Sequence, residues 1–394
     1  MPIDIVYLDH AATTPLDGRV LEAMLPHMDG TIPRGNPSSL HVSGAAARDA
    51  VEEARASVAL LIGAEPAELL FTASGTESNN LAVLGLAAAR AGAGPEKKHV
   101  VISAVEHAAV ANAARYLEVT GYEVTKVGVG PVGLVDPLRF SEALRPETVL
   151  AAVMWANNEV GTVQPIVEIS ALCREAGVPL HVDAVQAAGR LPIDVSSKPV
   201  STLALSAHKL YGPQGVGALY VRDGVELAPV VFGGGQEKGL RSGTENVAGI
   251  VGFGAAARLA SEELEERTRH ERTLRDLLIS GVLDLPGVHL NGHREKRLSN
   301  SVHLAVEGVE AESLVLYLDA LGYAVGSGSA CASSTAGHKA SPVLLAMGRP
   351  EKEAFTAVRV TVGKDTTKRE VKGFVEAFSA AVAHLRELSP LYAS

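Results

Sequence analysis

Cysteine is scarce: Cys173 and Cys331 are the only two in 394 residues. They stand far apart and match no CxxC or zinc-ligand spacing, so neither a disulfide framework nor a structural zinc site is expected. That usage suits a reducing compartment. Aromatic residues make up only 4%. Runs of Lys and Arg are missing, the formal charge is −10 and the pI is near 5.7. A general nucleic-acid binder needs a basic face, so that class is disfavoured, with room left only for a small local tRNA contact. Long apolar runs are missing too. Leu81–Ala89 and Ala248–Ala257 are the longest, far below the ~20 residues of a membrane span. The start, Met1-Pro2-Ile3-Asp4-Ile5, has no basic stretch followed by an apolar one. The expectation is a soluble cytoplasmic protein with no membrane and no direct nucleic-acid contact. No internal repeat, low-complexity tract or long linker is visible.

What is present is aliphatic. Hydrophobic residues reach 47% and glycines number 39, a mix suited to an α/β enzyme with many strand-to-helix turns. At ~100–200 residues per domain, the length suggests two domains. Short apolar runs alternate with helical periodicity. Leu69–Thr72, Val100–Ser103, Val149–Met154, Leu180–Asp183 and Thr202–Ser206 read as strands. Glu77–Ala89, Ala108–Val119 and Ile166–Ala176 read as helices. The alternation predicts βαβ units and a mostly parallel sheet. Near Gly254 the character changes. Ala255–Leu278 reads as one long helix, with Glu262, Glu265, Arg269 and Arg272 on an exposed face. It leads into a second region with strands Ser301–Val306 and Val358–Val362 and helices Glu312–Leu321 and Lys368–Leu388. The division falls near 255–260.

Five segments carry chemistry. In Thr202–Gly217, Lys209 follows an apolar strand and His208, and precedes a Gly-rich turn. A strand end is where open α/β sheets place ligand groups. A Lys there can form a Schiff base with a carbonyl cofactor, and Ser206 and His208 can bond an anionic group. Taken alone, a surface Lys at a strand end is the more ordinary reading. Asp183 ends a buried-looking strand and needs a partner, either a protonated pyridine nitrogen or the N-terminus of the next helix. His181, Asp183 and His208 as metal ligands is a weaker alternative, since no further ligand cluster supports it. Ala73–Asn79 follows a strand and opens a helix, so a phosphate fits there, with Gly75 allowing close approach. An ordinary capped helix start competes. His107, past another strand, can stack on an aromatic ring or move protons. Gly326–Ser334 reads as a mobile loop carrying the thiol of Cys331, with His338 and Lys339 as local positive character. Cys173, on the apolar face of a helix, reads as structural.

Together these segments resemble the cysteine desulfurase family, within the class V aminotransferase group of pyridoxal-phosphate enzymes. The similarity runs through Tyr7–Pro15, Gly35–Ser39, Ser74–Asn80, Asn157–Pro165, His181–Gln186, Ser206–Gly217, Arg241–Glu245 and Ser327–Ser333, and ends near Arg359. Each motif is modest, and their ordered coincidence is specific. The resemblance implies the fold type I of pyridoxal-phosphate transferases. Residues 15–257 would form a large domain with a mostly parallel seven-stranded sheet. Residues 1–14 and 258–394 would form a smaller α/β domain carrying the cysteine loop at about 326–342. It implies a Schiff base on Lys209, Asp183 on the pyridine nitrogen, Gln186 on the ring hydroxyl oxygen and His107 stacked on the ring. Gly75, Thr76, Ser206 and His208 would hold the phosphate, joined by Thr244 from a neighbouring subunit of a homodimer. Asn158 and Arg359 would take the substrate carboxylate. Cys331 would accept sulfur from L-cysteine, leaving L-alanine. It would pass the sulfur as a persulfide to an acceptor such as an iron–sulfur scaffold or a tRNA-thiolation protein. No resident metal is implied, although Cys331 could ligate an iron–sulfur cluster transiently. Asn79 and Gln236 depart from common family residues, at positions expected not to touch the chemistry directly. A class V aminotransferase or a selenocysteine lyase is the nearest rival, and a non-catalytic sulfur relay the next.

Overall fold

The computed structural model describes residues 5–32, 35–90, 98–327 and 340–389. Among the described residues thirteen strands follow one another: β1 Val6–Tyr7, β2 Leu69–Thr72, β3 His99–Ser103, β4 Glu123–Val127, β5 Thr148–Met154, β6 Leu180–Asp183, β7 Thr202–Ser206, β8 Gly217–Val221, β9 Val288–Leu290, β10 Ser301–Val306, β11 Tyr323–Ala324, β12 Gly326–Ser327 and β13 Ala357–Thr361.

Seven of them form one sheet in the order β2-β8-β7-β6-β5-β3-β4. Strands β7, β6, β5, β3 and β4 run parallel, while β8 runs against both of its neighbours. Strands β3, β5, β6 and β7 are buried along their whole length, as expected for parallel strands covered on both faces. Alternation sorts their side chains. Val101, Ala151 and Val153 enter one core with Val51, Ile169 and Phe253 from the helices Val42–Leu61, Ile166–Glu175 and Val247–Glu262. Val100, Ile102, Leu150 and Ala152 face the other way, onto Val83, Leu86 and Val110 of Gly75–Arg90 and Ala108–Val119.

A second, four-stranded antiparallel sheet has the order β12-β13-β10-β9. It buries Val302, Leu304, Val358 and Val360 against Leu274, Leu278, Phe374 and Phe378 of Leu264–Leu283 and Lys368–Leu388. Leu8 belongs to this core as well. The long helix expected over Ala255–Leu278 is two helices, Val247–Glu262 and Leu264–Leu283. The break is at Glu263, whose backbone turns out of helical geometry and whose carboxylate is held by Arg19 and Arg267. Asn246 caps the first helix, so it begins eight residues earlier than the periodicity suggested, within an almost wholly apolar stretch that hides its period. Among the described residues no helix is long and apolar enough to cross a membrane.

Residues 8–17 run as a strap from the smaller sheet to the larger one. Leu8 O accepts from Thr361 N at 2.7 Å, and Ala11 N donates to Thr361 Oγ1 at 2.9 Å. Further on, Thr14 N donates to His208 O at 2.9 Å and Asp17 N to Tyr211 O at 3.0 Å.

Candidate active site

Ser206 is the last residue of β7, and the single turn Ala207–Lys209 follows it. The chain then reverses at Tyr211, which adopts φ +65°, a conformation uncommon for a bulky residue. Its partners explain why this holds. Tyr211 N donates to Thr14 Oγ1 at 2.7 Å, its hydroxyl accepts from Lys364 N at 2.7 Å, and Arg267 and Lys364 each sit 5.3 Å from its ring centre. The reversal leaves Lys209 facing the strap. Its Nζ donates to Ala11 O at 2.5 Å and Ala12 O at 2.6 Å. Gln186 Nε2 donates to the same Ala11 O at 2.9 Å. His208 Nδ1 lies 3.1 Å from Thr13 Oγ1. Burial, followed by the Lys209 charge, pushes the His208 imidazole down to about 4, so it is neutral at neutral pH.

Gly75 opens the helix Gly75–Arg90 just after β2. A Cβ on Gly75 would lie 2.7 Å from Val185 Cγ2 and 3.3 Å from Ser206 Cβ. Glycine therefore lets this helix start close against the ends of β6 and β7. The Ser206 hydroxyl oxygen is buried there with no hydrogen-bond partner among the described residues. A helix N-terminus beside a buried hydroxyl is a seat for an anion. Thr76 is exposed next to it. Glu77 binds Ala73 N at 2.8 Å and pairs with Arg241 at 2.6 Å, which ties the helix start to the loop bearing the exposed Thr244. Gln236 braces the same loop, accepting from Gly243 N at 2.8 Å.

Asp183 ends β6, and its Oδ1 accepts from Val185 N at 3.0 Å. Its Oδ2 accepts from Asn79 Nδ2 at 2.8 Å. Position 79, expected not to touch the chemistry directly, thus contacts the carboxylate at the end of β6. Asn79 is one helical turn beyond Gly75, on the face that the glycine brings against the sheet. His181, two residues before Asp183 and on the same side of β6, also reaches Asn79, with Nε2 2.8 Å from Oδ1. The other ring nitrogen is 2.9 Å from Thr202 Oγ1. With both nitrogens engaged, His181 is not a metal ligand. Burial pushes its imidazole down to about 3.

His107 caps the helix Ala108–Val119 after β3, its Nδ1 accepting from Ala109 N at 3.1 Å. Beside it Glu106 is buried, with Oε1 accepting from Ser103 Oγ at 2.5 Å and Met154 N at 2.8 Å. Burial pushes this carboxyl up to about 7, against those two hydrogen bonds, and the Asp183 charge adds to the rise.

Arg359 comes from the other sheet, in the middle of β13, and is 4% exposed. Its Nη2 donates to Asp9 Oδ1 at 2.7 Å and its Nη1 to the backbone oxygen of Asn158 at 3.0 Å. Its Nε is buried without a partner among the described residues. Asn158 and Arg359 are thus together, through the backbone of one and the guanidinium of the other. The next residue, Glu159, accepts from Ser341 Oγ at 2.5 Å, and burial pushes it up to about 7. Cys331, His338 and Lys339 lie outside the described residues. Cys173 is buried, which pushes its thiol up to about 12, as suits a structural residue.

Asp9, Ala11, Asn79 and Glu106 were not singled out by sequence for contacts at the site. All four lie inside or beside motifs quoted for other residues, and that adjacency was the available signal.

These residues fit pyridoxal 5′-phosphate. An amine, a carboxylate for the ring nitrogen and an anion seat with an unpartnered Ser206 hydroxyl lie at the ends of adjoining strands β6 and β7, the edge where such sheets bind ligands. Comparison with known proteins agrees. The family model described as Aminotransferase class-V matches residues 6–374. A cysteine desulfurase of Archaeoglobus fulgidus is 45% identical over 386 residues, covering 98% of this chain and 99% of its own length. The solved structure of a NifS-like protein superposes with a TM-score of 0.88 at 35% identity, over 96% of this chain and 100% of that one. A structure described as SspA in complex with cysteine gives 0.79 at 35% identity, over 92% and 99%. The chain belongs to the class V aminotransferase family and, within it, to the pyridoxal-phosphate-dependent cysteine desulfurases.

Proposed function

We propose that this enzyme removes sulfur from L-cysteine, releases L-alanine and carries the sulfur as a persulfide on Cys331 to an acceptor protein. The observation that carries the reading is the convergence of Lys209, Asp183 and Ser206 at the carboxyl ends of β6 and β7. Pyridoxal 5′-phosphate, when bound, supplies an electron-withdrawing ring that stabilises negative charge at the substrate Cα.

The chain's own residues divide the rest of the work. Lys209 would hold the cofactor and, as a free amine, would move the Cα proton of the substrate. The two strap carbonyls that accept from its amine also orient it. Asp183 would take the ring nitrogen, Gln186 the ring hydroxyl oxygen, and His107 would lie against the ring. Gly75, Thr76, Ser206 and His208 would hold the phosphate. A neutral His208 would do so as a hydrogen-bond donor. Arg359 and Asn158 take the substrate carboxylate, for which a planar guanidinium fork is well shaped. His107 moves a proton at the substrate thiol. The Cys331 thiolate attacks the substrate sulfur. An S–S bond forms and the C–S bond breaks. The electron pair stays with the carbon side, which takes up a proton and leaves as alanine.

The reading includes a homodimer in which Thr244 completes the phosphate seat of the second subunit. Exposure of Thr244 and of Phe232, 81% exposed and not far before it in the chain, supports this. It also includes residues 15–257 as the cofactor domain, 1–14 and 258–394 as the smaller domain, an acceptor in iron–sulfur assembly or tRNA thiolation, and action in the cytoplasm. The test is turnover of L-cysteine with a reductant, scoring alanine and sulfide together in wild type and Cys331→Ala. Equal amounts from wild type, and loss of sulfide from a variant that still binds cofactor and cysteine, are expected. Normal turnover by the variant sinks the role of Cys331.

A further inference from the structure

Three buried side chains form a line behind the Asp183 carboxylate. Asp183 is 4% exposed, Asn79 1%, and His181 and Thr202 are both 0%. They are linked by contacts of 2.8, 2.8 and 2.9 Å. Donor and acceptor rules fix the direction of every link. An ionised Asp183 only accepts, so Asn79 must present its NH₂ to it. The Asn79 oxygen then faces His181 and only accepts, so Nε2 carries the imidazole hydrogen. Nδ1 is left bare and accepts the Thr202 hydroxyl hydrogen. Burial holds the imidazole neutral, so Nδ1 keeps its lone pair for that hydroxyl hydrogen.

We propose that Asn79 is a positioning residue for the cofactor ring, holding the Asp183 carboxylate aimed at the ring nitrogen through a one-way hydrogen-bond chain that ends at Thr202. This rests on the reading of Asp183 as the partner of that nitrogen. The chain does two things. It satisfies the Asp183 oxygen that would otherwise be buried without a donor, and it does so with neutral groups. Asp183 therefore remains the sole charge on the line, and its full charge acts on the ring. Asn79 can reach Asp183 because Gly75 seats the helix start against β6 and β7.

The experiment titrates the apo-protein with pyridoxal 5′-phosphate and records affinity and the absorption maximum of the bound cofactor. The variants are Asn79→Leu, Thr202→Val, Asp183→Ala and the double variant Asn79→Leu/Asp183→Ala, each with a thermal melt of the apo form. Leu matches the shape of Asn but neither donates nor accepts. Asn79→Leu is expected to weaken cofactor binding about tenfold and to move the absorption maximum toward that of Asp183→Ala. Thr202→Val, a same-shape change at the far end that touches neither Asp183 nor cofactor, is expected to move both in the same direction by about twofold. It carries the test if the Leu variant does not fold. In the Asp183→Ala background, Asn79→Leu should add nothing. Unchanged affinity and spectrum in both single variants, or an equal loss with and without Asp183, overturns the relay. If Asp183→Ala itself leaves affinity and spectrum unchanged, it is the assignment of Asp183 that fails.

Discussion

In the seven-stranded sheet, Asp183 and Ser206 are the last residues of their strands, and Lys209 comes three residues after β7 ends. In the four-stranded sheet, Arg359 lies in the middle of β13, opposite His303 on one side and Gly326 on the other. Groups at strand ends leave the ladder and can converge from several strands, so they can enclose a ligand the size of a cofactor. A mid-strand residue is fixed to one face by the pleat and to one position by register. It delivers a single long side chain, and its neighbours must make room. Gly326 does this. A Cβ there would lie 2.7 Å from Asp9 Oδ1 and 3.0 Å from Arg359 Nη2. One sheet thus offers a pocket and the other a single arm, which predicts different kinetic signatures for damage to each.

The largest effect is expected at the strand-end cluster. Lys209→Ala should lower kcat for alanine formation by about 10³-fold or more while the apo-protein melts near wild type. Arg359→Ala should raise KM for cysteine by about 10²-fold with a much smaller change in kcat, and Arg359→Lys should recover part of it. A fall in kcat at constant KM would erase the distinction between the sheets. Gly326→Ala, pressing on the Asp9–Arg359 pair, should raise KM roughly fivefold and leave cofactor affinity alone. A loss of cofactor affinity would show that the arm also supports the pocket.

The smallest effect is read by pH. Glu106 and Glu159 are each pushed by burial from 4.5 to about 7. Between those values the unfolded chain has lost both protons and the folded chain keeps them, so stability falls as pH rises across that window and levels off above it. Glu106→Gln and Glu159→Gln should each remove part of that slope, read as urea midpoints across the window. Retention of the full slope in both variants would place its origin elsewhere.

Much of this was legible in sequence where a signal is local. Leu180–Asp183 and Thr202–Ser206 were bounded correctly, because each is a short apolar run that ends at a polar residue. Lys368–Leu388 was bounded correctly too, since Thr367 and Glu370 form a capping box ahead of it. Strand β8, Gly217–Val221, is not among the strands read from sequence, because it follows a Gly-rich turn with no helix between it and β7 to mark a new unit. The carbonyls of Ala11 and Ala12 could not be foreseen, since a backbone oxygen has no residue-type signature. Read along its own helix, Asn79 carries no sign that Gly75 brings it against another strand. Asp9 has its partner 350 residues away.

That separation also sets an order of arrival. During synthesis the strap of residues 8–17 emerges at the outset, and none of its partners exists yet. Lys209 follows it by 198 residues and Arg359 by 350. All seven strands of the large sheet can have left the ribosome while Leu8 and Asp9 still have nowhere to dock. Contacts so distant in sequence are the slowest to close. The strap can lie across Lys209 once β7 has emerged, but it is joined to β13 only when the polypeptide is almost complete, so an unfinished chain holds the strand-end cluster before Arg359 can reach it.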